Sequence, residues 1–239
     1  MRDITTRGEL SASTRRRMIK ESTAIAMAAD PAAEAATRYA SARRAKWFKP
    51  ITATLAAMSG RGERCMYCSG SEAAQVEHHR PKSRYPSLAL QWENLLWVCG
   101  ICNQSKGQRF DDVVPPLNPV DDSIWEHLFI DQFGNLRARW STTLNGLDPR
   151  AVATIGCLSL DRQALQEARH SRLKDLRQKV RDAVTFYNQG QLSQDDLVTR
   201  LMEWFDQPFQ PDVVDYFLRG PGQTDASEPF RDFLAAAGL

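Results

Sequence analysis

The sequence predicts an α+β protein, a small mixed core stapled by a four-cysteine metal site and flanked on both sides by helices. Two Cys-x-x-Cys pairs, Cys65/Cys68 and Cys99/Cys102, enclose thirty residues. A plain zinc ribbon spans fewer, so folded structure must lie between the pairs. Before the pairs the chain is rich in Ala, Arg and Lys, and after them apolar residues recur at helical spacing.

The elements follow in order. Residues 11–58 read as helix, with Ser11 and Ser13 as candidate N-caps. Asp30-Pro31 divides the stretch, and a third short helix is expected over Pro50–Met58, ended by Gly60-Arg61-Gly62. Val76–His79 and Leu95–Val98 read as short strands, and Asn103–Phe110 as a short helix. Residues 111–122, rich in Pro and Asp, are expected to be irregular. Leu128–Asp131 and Asn135–Trp140 flank Gly134 as a hairpin. Helix is expected from Asp148 onward. Leu165, Ala168, Leu176, Val180, Val184 and Tyr187 share one face, with Arg172 as the exception on it and Asp161 as the expected cap. Ser193 and Asp196 have the spacing of a capping box that opens Gln194–Phe205. Pro211–Leu218 and Pro229–Ala237 read as further short helices.

The net charge of +2 hides an uneven distribution. Residues 1–50 carry eleven Lys/Arg against five Asp/Glu, a net of +6, and residues 190–239 carry three against nine, a net of −6. The basic half suits phosphates and the acidic tail does not. No run approaches the roughly 18 apolar residues a membrane helix needs. Arg15-Arg16-Arg17 followed by Ile19–Ala29 has the outline of a signal peptide, but Lys20 and Glu21 interrupt its apolar part. A cytoplasmic protein is expected, and in that compartment paired cysteines favour a metal over disulfides. Four thiolates at this spacing make a closed tetrahedral zinc site, which is structural. Cys157 stands alone in an apolar stretch and is expected to be a buried small hydrophobe.

Between and after the cysteine pairs lie Glu77-His78-His79-Arg80-Pro81, then Asn94, then Cys102-Asn103-Gln104-Ser105-Lys106. This order resembles the ββα-metal core of HNH nucleases. That family has an acidic residue or His followed by His, with Pro three residues after it. An Asn then precedes the second strand, and a His or Asn lies on the helix after the second cysteine pair. The resemblance implies phosphodiester hydrolysis with His78 as general base, Glu77 and Asn103 as ligands of a divalent ion, and Asn94 orienting the loop and the imidazole. Lys106 and Arg109 would hold phosphate oxygens. Arg80, Lys82 and Arg84 fit a phosphate-facing loop, with His79 beside them. Strand alternation aims His79 with Glu77 and makes it the rival base, but only His78 has Pro81 at the family's spacing. Asn103 stands where His is common, which favours Mg²⁺ or Mn²⁺ over softer metals. Glu77 stands where Asp is common. Trp92 and Trp97 are expected to pack, and His127 and His170 to be structural or surface residues.

The resemblance divides the chain into an N-terminal helical region (1–62), an HNH core (63–118), and a hairpin with C-terminal helices (119–239). Trp92-Glu93-Asn94-Leu95-Leu96, Cys102-Asn103-Gln104-Ser105-Lys106-Gly107, Pro116-Leu117-Asn118-Pro119 and Thr154–Arg162 also resemble the HNH subunit of Septu-type anti-phage systems (PtuB-like, found also with some retrons). In that family the nuclease acts with an ATPase related to ABC and SMC-type ATPases. DNA as substrate and such an ATPase as partner are therefore implied. Two alternatives stand beside this reading: a stand-alone HNH restriction enzyme, and a zinc-containing DNA-binding or scaffold module without hydrolysis.

Overall fold

The computed structural model describes residues 4 and 6–205 apart from 61 and 71. The two expected helices at Pro211–Leu218 and Pro229–Ala237 lie outside the described residues.

Three helices open the chain: α1 (Ala12–Ala26), α2 (Pro31–Ala42) and α3 (Lys49–Met58). Ser11 caps α1 by accepting from the Thr14 N–H, and Asp30 caps α2 by accepting from the Ala32 and Ala33 N–H groups. Pro31 at the first turn of α2 suits its fixed φ. Helix α1 is half-buried, with Met18 and Ile25 in the core. No helix among the described residues is long and apolar enough to cross a membrane.

Strands β1 (Gln75–His78) and β2 (Leu95–Val98) pair antiparallel, with Glu77 opposite Leu96 and His78 opposite Leu95. Helix α4 (Gly100–Lys106) follows β2. It begins earlier than expected because Cys99 caps it, its Sγ accepting from the Cys102 N–H. It ends earlier because Gly107 turns out of the helix with φ +51°. A one-turn helix α5 (Ile124–His127) leads into the hairpin of β3 (Leu128–Ile130) and β4 (Leu136–Ala138). A small ribbon, β5 (Trp140–Ser141) with β6 (Gly146–Leu147), precedes α6 (Pro149–Leu158), α7 (Gln163–Asn188) and α8 (Gln194–Phe205).

One apolar cluster runs through most of these elements, from Ile25, Ile51 and Leu55 through Leu95 and Leu96 to Leu158, Leu173 and Leu176, and leaves the β5–β6 ribbon outside it. Trp92 and Trp97 pack on it as expected. Helix α7 departs from expectation at two points. Asp161 does not cap it; the helix begins after Arg162 and lacks a side-chain cap. Its buried cation is Arg169, fully buried with Nη1 donating to the Leu160 carbonyl at 2.9 Å, while Tyr187 is exposed. Ser193 and Asp196 form the expected capping box, each accepting from the other's backbone N–H. Cys157 is only half-buried, its thiol toward the Arg109 carbonyl.

Residues 111–122 are irregular but firmly tied. The Arg150 guanidinium grips Asp122 through two bonds of 2.6 and 2.8 Å, and Asp122 accepts from the Asn118 N–H. Residues before α1 also dock on the core, which nothing in the sequence indicated. Arg7 donates to the Trp92, Leu95 and Glu93 carbonyls and lies over the Trp92 ring.

Candidate functional site

The four paired cysteines meet as expected. Their sulfurs lie within 4.8 Å of one another, and all four residues are buried. Cys65 and Cys68 come from the turn after α3, and Cys99 and Cys102 from the start of α4. Sulfur contacts from Cys102 and Cys65 hold the Cys99 thiol down at about 6, ready to ionise. Both Arg162 Nη atoms lie 3.8 Å from Cys102 Sγ and bring positive charge to the cluster. The cluster is positioned to bind a metal ion, and it joins the turn after α3 to the junction of β2 and α4.

From that base the second constellation is built. Glu77, His78 and Asn103 line one cavity of about 380 Å³. Strand β1 ends at His78, so Glu77 and His78 reach the same cavity even though they are consecutive. His78 Nε2 lies 2.9 Å from the Ala89 carbonyl. A carbonyl only accepts, so Nε2 carries the proton and Nδ1 is left with its lone pair. Among the described residues Nδ1 has no hydrogen-bond partner. Burial, with Lys82 and Lys106 nearby, lowers the His78 pKa to about 4, against the Ala89 bond that favours the cation. The ring is therefore neutral at pH 7.

Asn94 clamps the loop that holds this imidazole. Its Oδ1 accepts from the Arg80 N–H at 2.8 Å, and its Nδ2 donates to the Arg80 and Leu88 carbonyls. Leu88 precedes Ala89, so Asn94 reaches His78 through the backbone and not by direct contact. Asn103 Nδ2 donates to Gln75 Oε1 at 2.7 Å, which directs the amide and leaves Oδ1 for the cavity side.

The other expected site residues are placed differently. Lys106 is fully buried, its ammonium 2.7 Å from Glu77 Oε1 and donating to the His78 carbonyl at 2.9 Å. It does not face solvent, where a phosphate would be. Burial raises the Glu77 pKa, with Lys106 pulling the other way. Arg109 lies beyond the end of α4, and its guanidinium donates to the Ser105 and Gly156 carbonyls. It fastens α4 to α6. Arg80 lies over the Tyr85 and Phe110 rings, 4.0 Å from Asp112. Arg84 also pairs with Asp112. His79 is buried between Tyr67 and Phe110, outside the cavity, and burial lowers its pKa to about 3. Of the expected phosphate contacts, Lys82 alone lines the cavity. His127 pairs with Asp148 at 2.7 Å and His170 is exposed, both away from the site.

Among the lining residues that were not foreseen, two carry chemistry. Tyr39 and Arg43, at the end of α2, form a wall of the cavity. The Tyr39 ring meets the His78 ring edge-on with centroids 4.5 Å apart. Nothing in the local sequence marks Tyr39 and Arg43, from a helix far upstream, as neighbours of His78.

Two comparisons bear on this arrangement. Residues 65–109 match the HNH endonuclease family. Over 120 residues the chain is 31% identical to a protein described as Septu protein PtuB, from Bacillus thuringiensis. The match covers 48% of this chain and 43% of that relative, so the chain spans less than half of the relative's length.

Proposed function

We propose that this HNH-family, PtuB-like protein is a metal-dependent endonuclease that hydrolyses DNA phosphodiester bonds. The observation that carries the reading is the convergence of Glu77, His78 and Asn103 on one cavity, with the basic nitrogen of His78 unspent. A neutral imidazole at pH 7 is the form that takes a proton from attacking water. Asn94 holds the Leu88–Ala89 backbone, Ala89 holds Nε2, and the ring stays oriented with Nδ1 as the acceptor.

The donor set fits a hard divalent ion. Asn103 spends its amide nitrogens' side on Gln75 and keeps an oxygen, and Glu77 offers a carboxylate. These two residues would hold Mg²⁺ or Mn²⁺, which supplies a positive charge on the phosphate oxygens and steadies the leaving oxygen. Lys82 holds phosphate at the cavity wall.

The four cysteines hold zinc as a structural ion. A tetrahedron with Zn–S bonds of about 2.3 Å has sulfurs about 3.8 Å apart, and Cys68 Sγ lies 3.9 Å from Cys99 Sγ. The likeness to a Septu protein supports a role as the nuclease of an anti-phage complex in the cytoplasm, with an ABC/SMC-type ATPase as partner.

The test is nicking of supercoiled DNA by the purified chain, alone and with the candidate ATPase, in Mg²⁺ or Mn²⁺. His78→Ala should lower the rate by roughly 10²–10⁴-fold with zinc content and DNA binding unchanged. Full activity in excess chelator, or an active His78→Ala, would refute the reading.

A further inference from the structure

The N-terminal helices have no place in the ββα core, yet the end of α2 forms one wall of its cavity. Arg43 lies at the C-cap of α2, and a cation there complements the helix dipole. The dipole does not explain where the side chain goes. Arg43 lines the cavity of Glu77, His78 and Asn103, and also an adjoining cavity of about 320 Å³ that again includes Tyr39 and Asn103. Its guanidinium lies over the Tyr39 ring at 6.0 Å. Lys82, from the loop after β1, lies over the same ring at 5.2 Å. Neither cation has a carboxylate within ion-pair distance among the described residues. Other cations of this region are engaged: Arg38 with Glu21 and Glu34, Arg84 with Asp112, Lys106 with Glu77. Two cations of different chain origin, neither in an ion pair, therefore lie against one aromatic ring and line the cavity of the candidate catalytic groups.

We infer that Arg43 and Lys82 form a two-pronged clamp for the DNA backbone, so that α2 contributes a phosphate-binding residue to the nuclease site. The inference rests on the nuclease reading. Tyr39 is the platform of the clamp. Both cations lie against its ring, which abuts His78, so the held phosphate is set beside the general base. Arg suits the task because its planar fork grips two phosphate oxygens at once.

The experiment uses the full chain and a short duplex DNA, with binding measured across a salt series in chelator and cutting measured in Mg²⁺. Each phosphate contact contributes about 0.9 to the slope of log affinity against log salt. Arg43→Gln should weaken binding by roughly ten-fold at moderate salt and reduce that slope by about one. Arg43→Lys should restore the slope, because the charge returns. Arg44→Gln, one residue further and outside both cavities, should behave as wild type. Tyr39→Leu, which removes the aromatic platform, should raise KM.

An unchanged slope in Arg43→Gln, or an equal loss in Arg44→Gln, overturns the clamp. So does a wild-type chain that does not bind DNA. Arg43-dependent binding by a chain that cuts under no divalent ion leaves the clamp standing and refutes the nuclease reading instead.

Discussion

Lys106 Nζ lies 2.7 Å from Glu77 Oε1, with the lysine wholly buried and the glutamate nearly so. The ammonium also donates to the His78 carbonyl. One buried cation thereby fixes the backbone of His78 and the carboxylate beside it. Removing one half of such a pair leaves an uncompensated charge in the interior, at a cost of about 3–5 kcal/mol. Lys106→Met and Glu77→Gln should each lose stability of that order in chemical denaturation. The double variant should recover much of the loss, since no unpaired charge remains. A Lys106→Met protein as stable as wild type would show that the pair is not buried in solution.

The cysteine cluster should set the folding stability of the core. Cys65→Ser or Cys102→Ser should lower the melting temperature sharply or give insoluble protein, because structural zinc contributes folding free energy directly. Arg162→Met keeps all four sulfurs and removes the guanidinium from Cys102. It should weaken zinc affinity by roughly 10–100-fold in a chelator competition. Purified wild-type chain with no bound zinc and normal solubility would refute both expectations.

Acid should destabilise the core through its two buried imidazoles. Burial holds His78 at about 4 and His79 at about 3, against about 6.5 for a free imidazole. Above pH 6.5 both states are neutral and stability is fully present. As pH falls from 6.5 toward 4, the unfolded chain takes protons that the folded chain refuses, and stability is lost. His79→Gln should flatten this loss between pH 7 and 5 with zinc retained. It should cost far less activity than His78→Ala, since His79 faces Tyr67 and Phe110. A dead His79→Gln beside an active His78→Ala would reverse the two roles.

Gly134 should tolerate no side chain. Its φ is +83°, and a Cβ there would lie 2.6 Å from the His170 nitrogen and 2.7 Å from the Gln166 carbonyl oxygen, both backbone atoms of α7. Gly134→Ala should destabilise by more than about 1 kcal/mol. Gly190 also has positive φ but open space around it, so Gly190→Ala should cost less. Equal melting temperatures for the two variants would mean that the hairpin does not sit against α7.

Features set by covalent spacing and local backbone rules were legible in the chain alone. The Cys-x-x-Cys pairs had to present sulfurs on tight turns, Ser11 had to cap α1, Asp30-Pro31 had to divide the first helical stretch, and the Ser193–Asp196 box had to open α8. The family resemblance, through its Pro81 spacing, picked out His78, the imidazole that lines the cavity. What the chain alone did not decide was which charges would be buried and which would meet. Lys106 and Arg109 were expected on phosphate because the family resemblance implied it, yet packing of β1 on α4 closed over one and α6 captured the other. Arg169 and not Arg172 is buried in α7, because a rotation of one residue's arc on a long helix is set by its neighbours and not by its own pattern. Tyr39 and Arg43 reach His78 only because α2 folds back on the loop after β1. Tertiary packing brings distant residues together, and local sequence carries no record of that proximity.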